Sequence, residues 1–162
     1  MPRFGIRLFL DDRCRNIQYF GKGPDEAYLD KQQASCYGEF RTSVDAMAED
    51  YIRPQETGSH IGTRYVEAFS EEGYGLKVIS LNKPVSFSSL PYSQEKLESA
   101  RHNFALLPDE FITLCIDCFH CGVGSRSCGP KLAEKYRPDE REVDFAFIIT
   151  RCPASDDGNA EK

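Results

Sequence analysis

The chain has 162 residues, 40% of them hydrophobic, with 11 Phe and 8 Tyr, enough apolar material for one packed domain and too much for a disordered chain. A formal charge of −6 with 20 scattered basic residues excludes the positive stripe that nucleic acid or an anionic membrane surface requires. No apolar run approaches the ~20 residues of a bilayer span, and Met1-Pro2-Arg3-Phe4 opens no signal-peptide pattern, so the expectation is a cytoplasmic protein whose seven cysteines, an odd number, stay reduced.

Along the chain the hydrophobic pattern is mostly period two. Phe4, Ile6, Leu8 and Leu10 alternate with Gly5, Arg7 and Phe9, the signature of a strand with one buried face. A second strand is expected over Asn16–Phe20, ending in the turn residues Gly21-Lys22-Gly23-Pro24. Residues 25–62 lack regular pattern, and a connection that long is expected to be functional or packed on itself. Further strands are expected over Thr63–Phe69, Leu76–Leu81, Val85–Leu90, Phe111–Phe119 and Val143–Arg151. One short helix is expected after an N-cap at Ser93, with Leu97, Ala100, Arg101 and Phe104 on one face. Without helices between successive strands, the fold class is all-β, an antiparallel β-sandwich. The domain is read as residues 1–152, with 153–162 a flexible tail of almost no apolar content.

Three stretches carry more specific information. They are Tyr19-Phe20-Gly21-Lys22-Gly23-Pro24-Asp25-Glu26-Ala27-Tyr28-Leu29-Asp30, then Tyr51-Ile52-Arg53-Pro54-Gln55-Glu56-Thr57-Gly58 with Gly62-Thr63-Arg64, and Ile116-Asp117-Cys118-Phe119-His120-Cys121-Gly122-Val123-Gly124-Ser125-Arg126-Ser127-Cys128-Gly129-Pro130. In this order they resemble the C-terminal domain of glycoside hydrolase family 2 β-galactosidases: GxGPxExYxD, YxxPxExG…GxR, and a strand and loop ending SWxP or SCGP. Pro2-Arg3-Phe4-Gly5 fits the strand before the first of them. The resemblance runs from Pro2 to about Thr150.

It implies a galactose mutarotase-like supersandwich of which this chain is about the second half. Such a piece leaves strand edges unpaired, and a fragment, a truncated product and half of a split enzyme all stay open. The resemblance also implies that the chain is a module of an enzyme hydrolysing terminal β-D-galactosides such as lactose. The partners implied are a catalytic barrel portion or large subunit, a galactoside substrate and an oligomeric assembly. The two catalytic glutamates belong to that barrel, so no catalytic residue, cofactor or metal is expected in this chain, and a divalent or monovalent metal is left to the complete enzyme.

The residues agree with that absence. Retaining glycoside cleavage needs two carboxyl groups about 5–5.5 Å apart, whereas the 26 acidic residues fall largely in runs such as Glu71-Glu72 and Asp139-Glu140-Arg141-Glu142, which read as a solvated surface. The candidate substrate mouth is the glycine-bearing loop after Phe111–Phe119, with His120, Arg126, Ser127 and Cys128. The resemblance places a sugar-stacking tryptophan of some members where Cys128 stands, in a loop one residue shorter here. Glu26 and Tyr28 are expected to anchor the long connection, and Glu56 and Arg64 to form a buried pair within it. His120 is read as a structural donor before a ligand.

Three other functions compete. A stand-alone carbohydrate-binding module would need an aromatic-lined concave face, and Trp is absent. Cys115, Cys118, Cys121 and Cys128 have spacings of the kind that bind zinc or iron–sulfur clusters. Side chains three apart on one strand, however, point to opposite faces of the sheet. A mutarotase-like isomerase is suggested by fold kinship alone.

Overall fold

The computed structural model describes residues 3–123, 134 and 144–152. Nine strands follow in chain order: β1 (Arg3–Asp11), β2 (Asn16–Gly23), β3 (Cys36–Ser43), β4 (His60–Thr63), β5 (Tyr65–Phe69), β6 (Gly75–Ser80), β7 (Val85–Leu90), β8 (Phe111–His120) and β9 (Phe147–Arg151). Helices are short: α1 (Val44–Met47), α2 (Gln94–Ser99) and a 3-10 turn at Asn103–Ala105. Among the described residues no helix is long and apolar enough to cross a membrane.

The strands form two antiparallel sheets, β1-β8-β7-β4 and β3-β2-β5-β6-β9. Alternation dictates which residues meet between them. Ile112, Leu114 and Ile116 of β8 and Phe87 of β7 face Ile17 and Tyr19 of β2, Val66 of β5 and Val78 of β6 in one core, with the Tyr19 and Phe87 rings 5.0 Å apart. This is the all-β antiparallel sandwich expected from the period-two pattern.

β7 departs from half-burial: all six of its residues are buried. The segment between β2 and β4 explains why. It folds over the outer face of the first sheet, where Ser86 and Ser88 are in register with Asp117 and Cys115 of β8. Gly58, at φ 68°, carries the chain close enough that a Cβ there would lie 2.8 Å from the Met47 carbonyl oxygen and 3.1 Å from Leu90. This connection is therefore a packed layer. It contains β3 and α1 and leads into β4, none of which the sequence pattern announced.

Two other expectations are corrected. β2 runs on through Gly23, three residues past the expected strand end at Phe20, because Gly21 and Gly23 continue to pair with Gly38 and Cys36 of β3. The helix after Ser93 stops at Ser99, and the Ser93 side chain makes no capping bond; Leu97 is buried while Phe104 is 82% exposed, so they share no packed face.

β1 and β8 pair with one irregularity that matters for the site. Phe4 is opposite Phe119 and Gly5 is opposite Asp117, so Cys118 is an extra residue, a β-bulge. A Cβ on Gly5 would come within 2.2 Å of the Ile116 carbonyl oxygen, so only glycine fits against the bulge. The bulge turns the end of β8 so that Asp117 and His120 both lie opposite odd-numbered residues of β1, Gly5 and Arg3.

Truncating Phe87, fully buried between Tyr19 and His60, opens a cavity at the centre of the core. Phe87→Ala is expected to cost about 3–5 kcal/mol, read as a lower denaturant midpoint at unchanged slope in equilibrium unfolding.

Candidate functional site

The site is the polar layer where the three motif segments meet. Its first centre is Glu26, which follows the cis Gly23–Pro24 bond at the end of β2 and is 4% exposed. Its carboxylate accepts from Lys31 Nζ (2.7 Å), the Gly58 backbone N–H (2.7 Å), Thr57 Oγ1 (3.0 Å), Tyr28 Oη (3.3 Å) and the Tyr51 hydroxyl. Burial alone would lift its pKa, but the bonds from Lys31, Tyr51 and Gly58 outweigh burial and hold it below the ordinary carboxylate value. A backbone bridge between Ala27 and His60, with Ala27 N–H donating to the Ser59 carbonyl (2.7 Å), fastens the same turn to β4.

The second centre is Arg3 on β1. Its Nη1 donates to Glu56 (3.0 Å) and its Nε to Asp117 (3.1 Å), while Nη2 closes a bidentate pair with Asp117. Burial opposes the positive charge, but Asp117 and Glu56 more than restore it and raise the Arg3 pKa. Burial and the neighbouring Asp117 charge lift Glu56 above its usual range despite Arg3. Glu26 thus joins the first motif to the second, and Arg3 joins the second to the third.

His120 closes β8 beside this network. It is 7% exposed, its ring lies 5.4 Å from that of Tyr28 in an edge contact, and burial, with the nearby Arg3 charge, lowers its pKa to about 4. It is therefore neutral at physiological pH, and its Nδ1 has no hydrogen-bond partner among the described residues. Two residues on, Gly122 passes so close to Asp30 that a Cβ would lie 2.0 Å from its carboxyl group. The start of the glycine-bearing loop is thus pressed against the end of the first motif.

Glu26, Tyr28, Glu56 and His120 come together here. Arg64 does not. Its side chain is exposed, and among the described residues its backbone bonds, to Phe20 and Ser80, are what tie it in. The expected Glu56–Arg64 pair is replaced by Glu56–Arg3, because β1 reaches the outer-face layer that holds Glu56 and the bend between β4 and β5 that carries Arg64 does not. Arg126, Ser127 and Cys128 lie outside the described residues, as does the expected tail at 153–162.

Sequence reasoning missed Arg3, Asp117, Lys31, Tyr51 and Thr57. One signal was present: Asp117 is a carboxylate inside an otherwise apolar strand, and a buried charge requires a partner. As for the cysteines, Cys115 is buried with Gln94 Nε2 3.3 Å from its sulfur. Among the described residues no group of three or more His, Cys, Asp or Glu is arranged to hold a metal. The three carboxylates, Glu26 and Asp117 buried and Glu56 partly buried, are each bonded to a cation.

Comparison with known proteins gives this scaffold a context. The beta galactosidase small chain family model matches residues 1–149. The chain belongs to that family. It is 38% identical over 149 residues to a beta-galactosidase of Actinobacillus pleuropneumoniae and 40% identical over 149 residues to one of Staphylococcus xylosus, covering 92% of this chain in each case. A beta-galactosidase of Streptococcus thermophilus is 35% identical over 123 residues, 76% of this chain. These matches cover 14%, 15% and 12% of the respective relatives, so the chain spans about a seventh of their length.

Arg3→Met keeps the side-chain length and removes the charge, leaving Glu56 and Asp117 buried without their cation. The expected loss is about 3–5 kcal/mol, measured by chemical denaturation. The small-chain fold should also lose stability on acidification. The folded-state pKa of His120, about 4, lies below its ordinary 6.5, so between those pH values the unfolded chain binds the proton that the folded chain refuses. Stability then falls as pH falls through the window, and the loss saturates below it. Glu56, shifted upward, acts in the opposite sense, and buried His60, shifted downward, acts in the same sense. The reading is therefore a difference: His120→Gln should show a shallower decline of melting temperature across this window than the unsubstituted chain.

Proposed function

We propose that this chain is the C-terminal module of a β-galactosidase that hydrolyses terminal β-D-galactosides of the lactose type with retention of configuration. In this reading the acid/base and nucleophilic glutamates sit in a barrel portion or large subunit outside the chain. The loop carrying Arg126, Ser127 and Cys128 borders the subsite of the leaving sugar, with His120 at its base. The module works in the cytoplasm within an oligomeric enzyme, with galactoside and the barrel portion as its partners.

One observation carries the reading. Three segments far apart in sequence, around Glu26, Glu56 and Asp117–His120, converge through a single buried network on the strand end from which that loop departs. A module whose task is to fix a loop in place has this form: charge and donors committed to rigidity, with each of the three carboxylates bonded to a cation. The family assignment supplies the substrate class.

The test is direct. The purified chain is expected to release no nitrophenol from a nitrophenyl β-galactoside at any pH. The same chain grafted in place of the matching region of the S. xylosus relative is expected to support turnover. Hydrolysis by the pure chain, or a folded graft without activity, would contradict the reading.

A further inference from the structure

β3 lies at the edge of the five-stranded sheet, and among the described residues it pairs with β2 alone. Cys36, Tyr37, Glu39 and Arg41 are exposed along it, Tyr37 to 59%. The strand is eight residues long, keeps one register with β2 throughout and contains neither proline nor lysine, so it lacks the usual devices that blunt an edge. β4, at an edge of the other sheet, is different: four residues long, irregular in register between His60 and Thr63, and largely buried.

The side chains of β3 alternate in chemistry as well as in direction. Phe40, in register with Tyr19, faces the core, with the two rings 5.4 Å apart. Glu39 and Arg41, in register with Phe20 and Gln18, share the outer face. Gln18 lies between them: its Nε2 donates to Glu39 Oε1, and its Oε1 accepts from Arg41 Nε (2.8 Å). Tyr65 Oη donates to the same Glu39 oxygen (2.8 Å). Both charges are thus held at set places along the edge. Among the described residues, Arg41 Nη1 and Nη2 and Glu39 Oε2 have no hydrogen-bond partner.

We propose that β3 is a self-association edge, on which a second copy of this chain pairs antiparallel about a twofold axis at Phe40. When one sheet extends another, residues placed opposite each other share a face. Glu39 and Arg41 therefore meet only outer-facing residues of the other copy. With Glu39 on the axis two carboxylates face each other, and with Arg41 on the axis two guanidinium groups do. With Phe40 on the axis, Glu39 of each copy faces Arg41 of the other, so the open Nη groups meet the open Oε2 at two places. The same register sets Phe40 against Phe40, places Tyr37 opposite Ser43, and leaves Gly38, with no side chain, opposite Thr42. The edge is complementary to itself, and charge selects the register. The inference goes beyond the function proposed above and does not depend on it.

Sedimentation of the purified chain over a concentration series is expected to show a reversible monomer–dimer equilibrium. Glu39→Arg sets arginines opposite Arg41, and Arg41→Glu sets carboxylates opposite Glu39. Each should weaken the dimer about tenfold or more. Each should also move the melting temperature by only about 2 °C, since both side chains are exposed. An equal mixture of the two variants should recover the dimer, because every facing pair in the heterodimer is then opposite in charge. The double variant should recover it with one chain. Damage to the fold cannot produce either recovery. A chain monomeric at every concentration, a dimer indifferent to both reversals, or a mixture no more associated than its separate components would each overturn the proposal.

Discussion

A carboxylate removed from water must recover its lost hydration from donors in the protein, and that constraint organises everything outside the apolar core of this chain. Glu26 recovers it from side chains and backbone spread over residues 28–58. Outside β3 the backbone in that region has little regular pairing of its own, and the donors it delivers to Glu26 hold it in place. Asp117 and Glu56 make the same demand of Arg3. The demand is met by a strand from the opposite end of the sequence, more than a hundred residues from Asp117. The long connection, the first strand and the end of β8 are therefore one unit, tied by these ions as well as by the core cluster to which Val44, Met47 and Ile116 belong and against which Ile6 packs.

This division decides what could be read from the sequence. β1, β5, β6, β7 and β8 were legible because an alternating apolar set reports a half-buried sheet directly. β3 was not. Within Cys36–Ser43 the residue packing on the core is Phe40, against Tyr19 at 5.4 Å, and Tyr37 on the same edge strand is 59% exposed, so the pattern has no contrast. β4 is four residues long and contains Gly62 at φ 71°, too short and too bent to show a period.

The site was half legible for a related reason. Resemblance pointed to Glu26, Tyr28, Glu56 and His120, and these do meet. Pairing within a motif suggested Arg64 for Glu56, since Arg64 is close in sequence. The true partner is Arg3, and sequence separation carries no information about which cation a buried carboxylate finds. Ser93 repeats the lesson on a smaller scale: as a residue type it suits an N-cap, yet its backbone N–H donates to Asp109 Oδ2 at 2.7 Å, and its side chain makes no cap.

The charges of the network also explain why it suits a supporting part. Arg3 and Lys31 bring two positive charges, and Glu26, Glu56 and Asp117 three negative ones, so one carboxylate is in excess. Burial and the Asp117 charge place that excess on Glu56, whose Oε1 has no partner among the described residues. His120, which could have balanced it, is held neutral by burial and by Arg3. A site built for acid/base chemistry separates the pKa values of two groups facing a shared space. Here the shifted groups face cations, hydroxyls and a tyrosine ring, and what they hold in common is the end of β8. Rigidity at that point, bought with a buried and nearly balanced set of ions, is what the arrangement supplies.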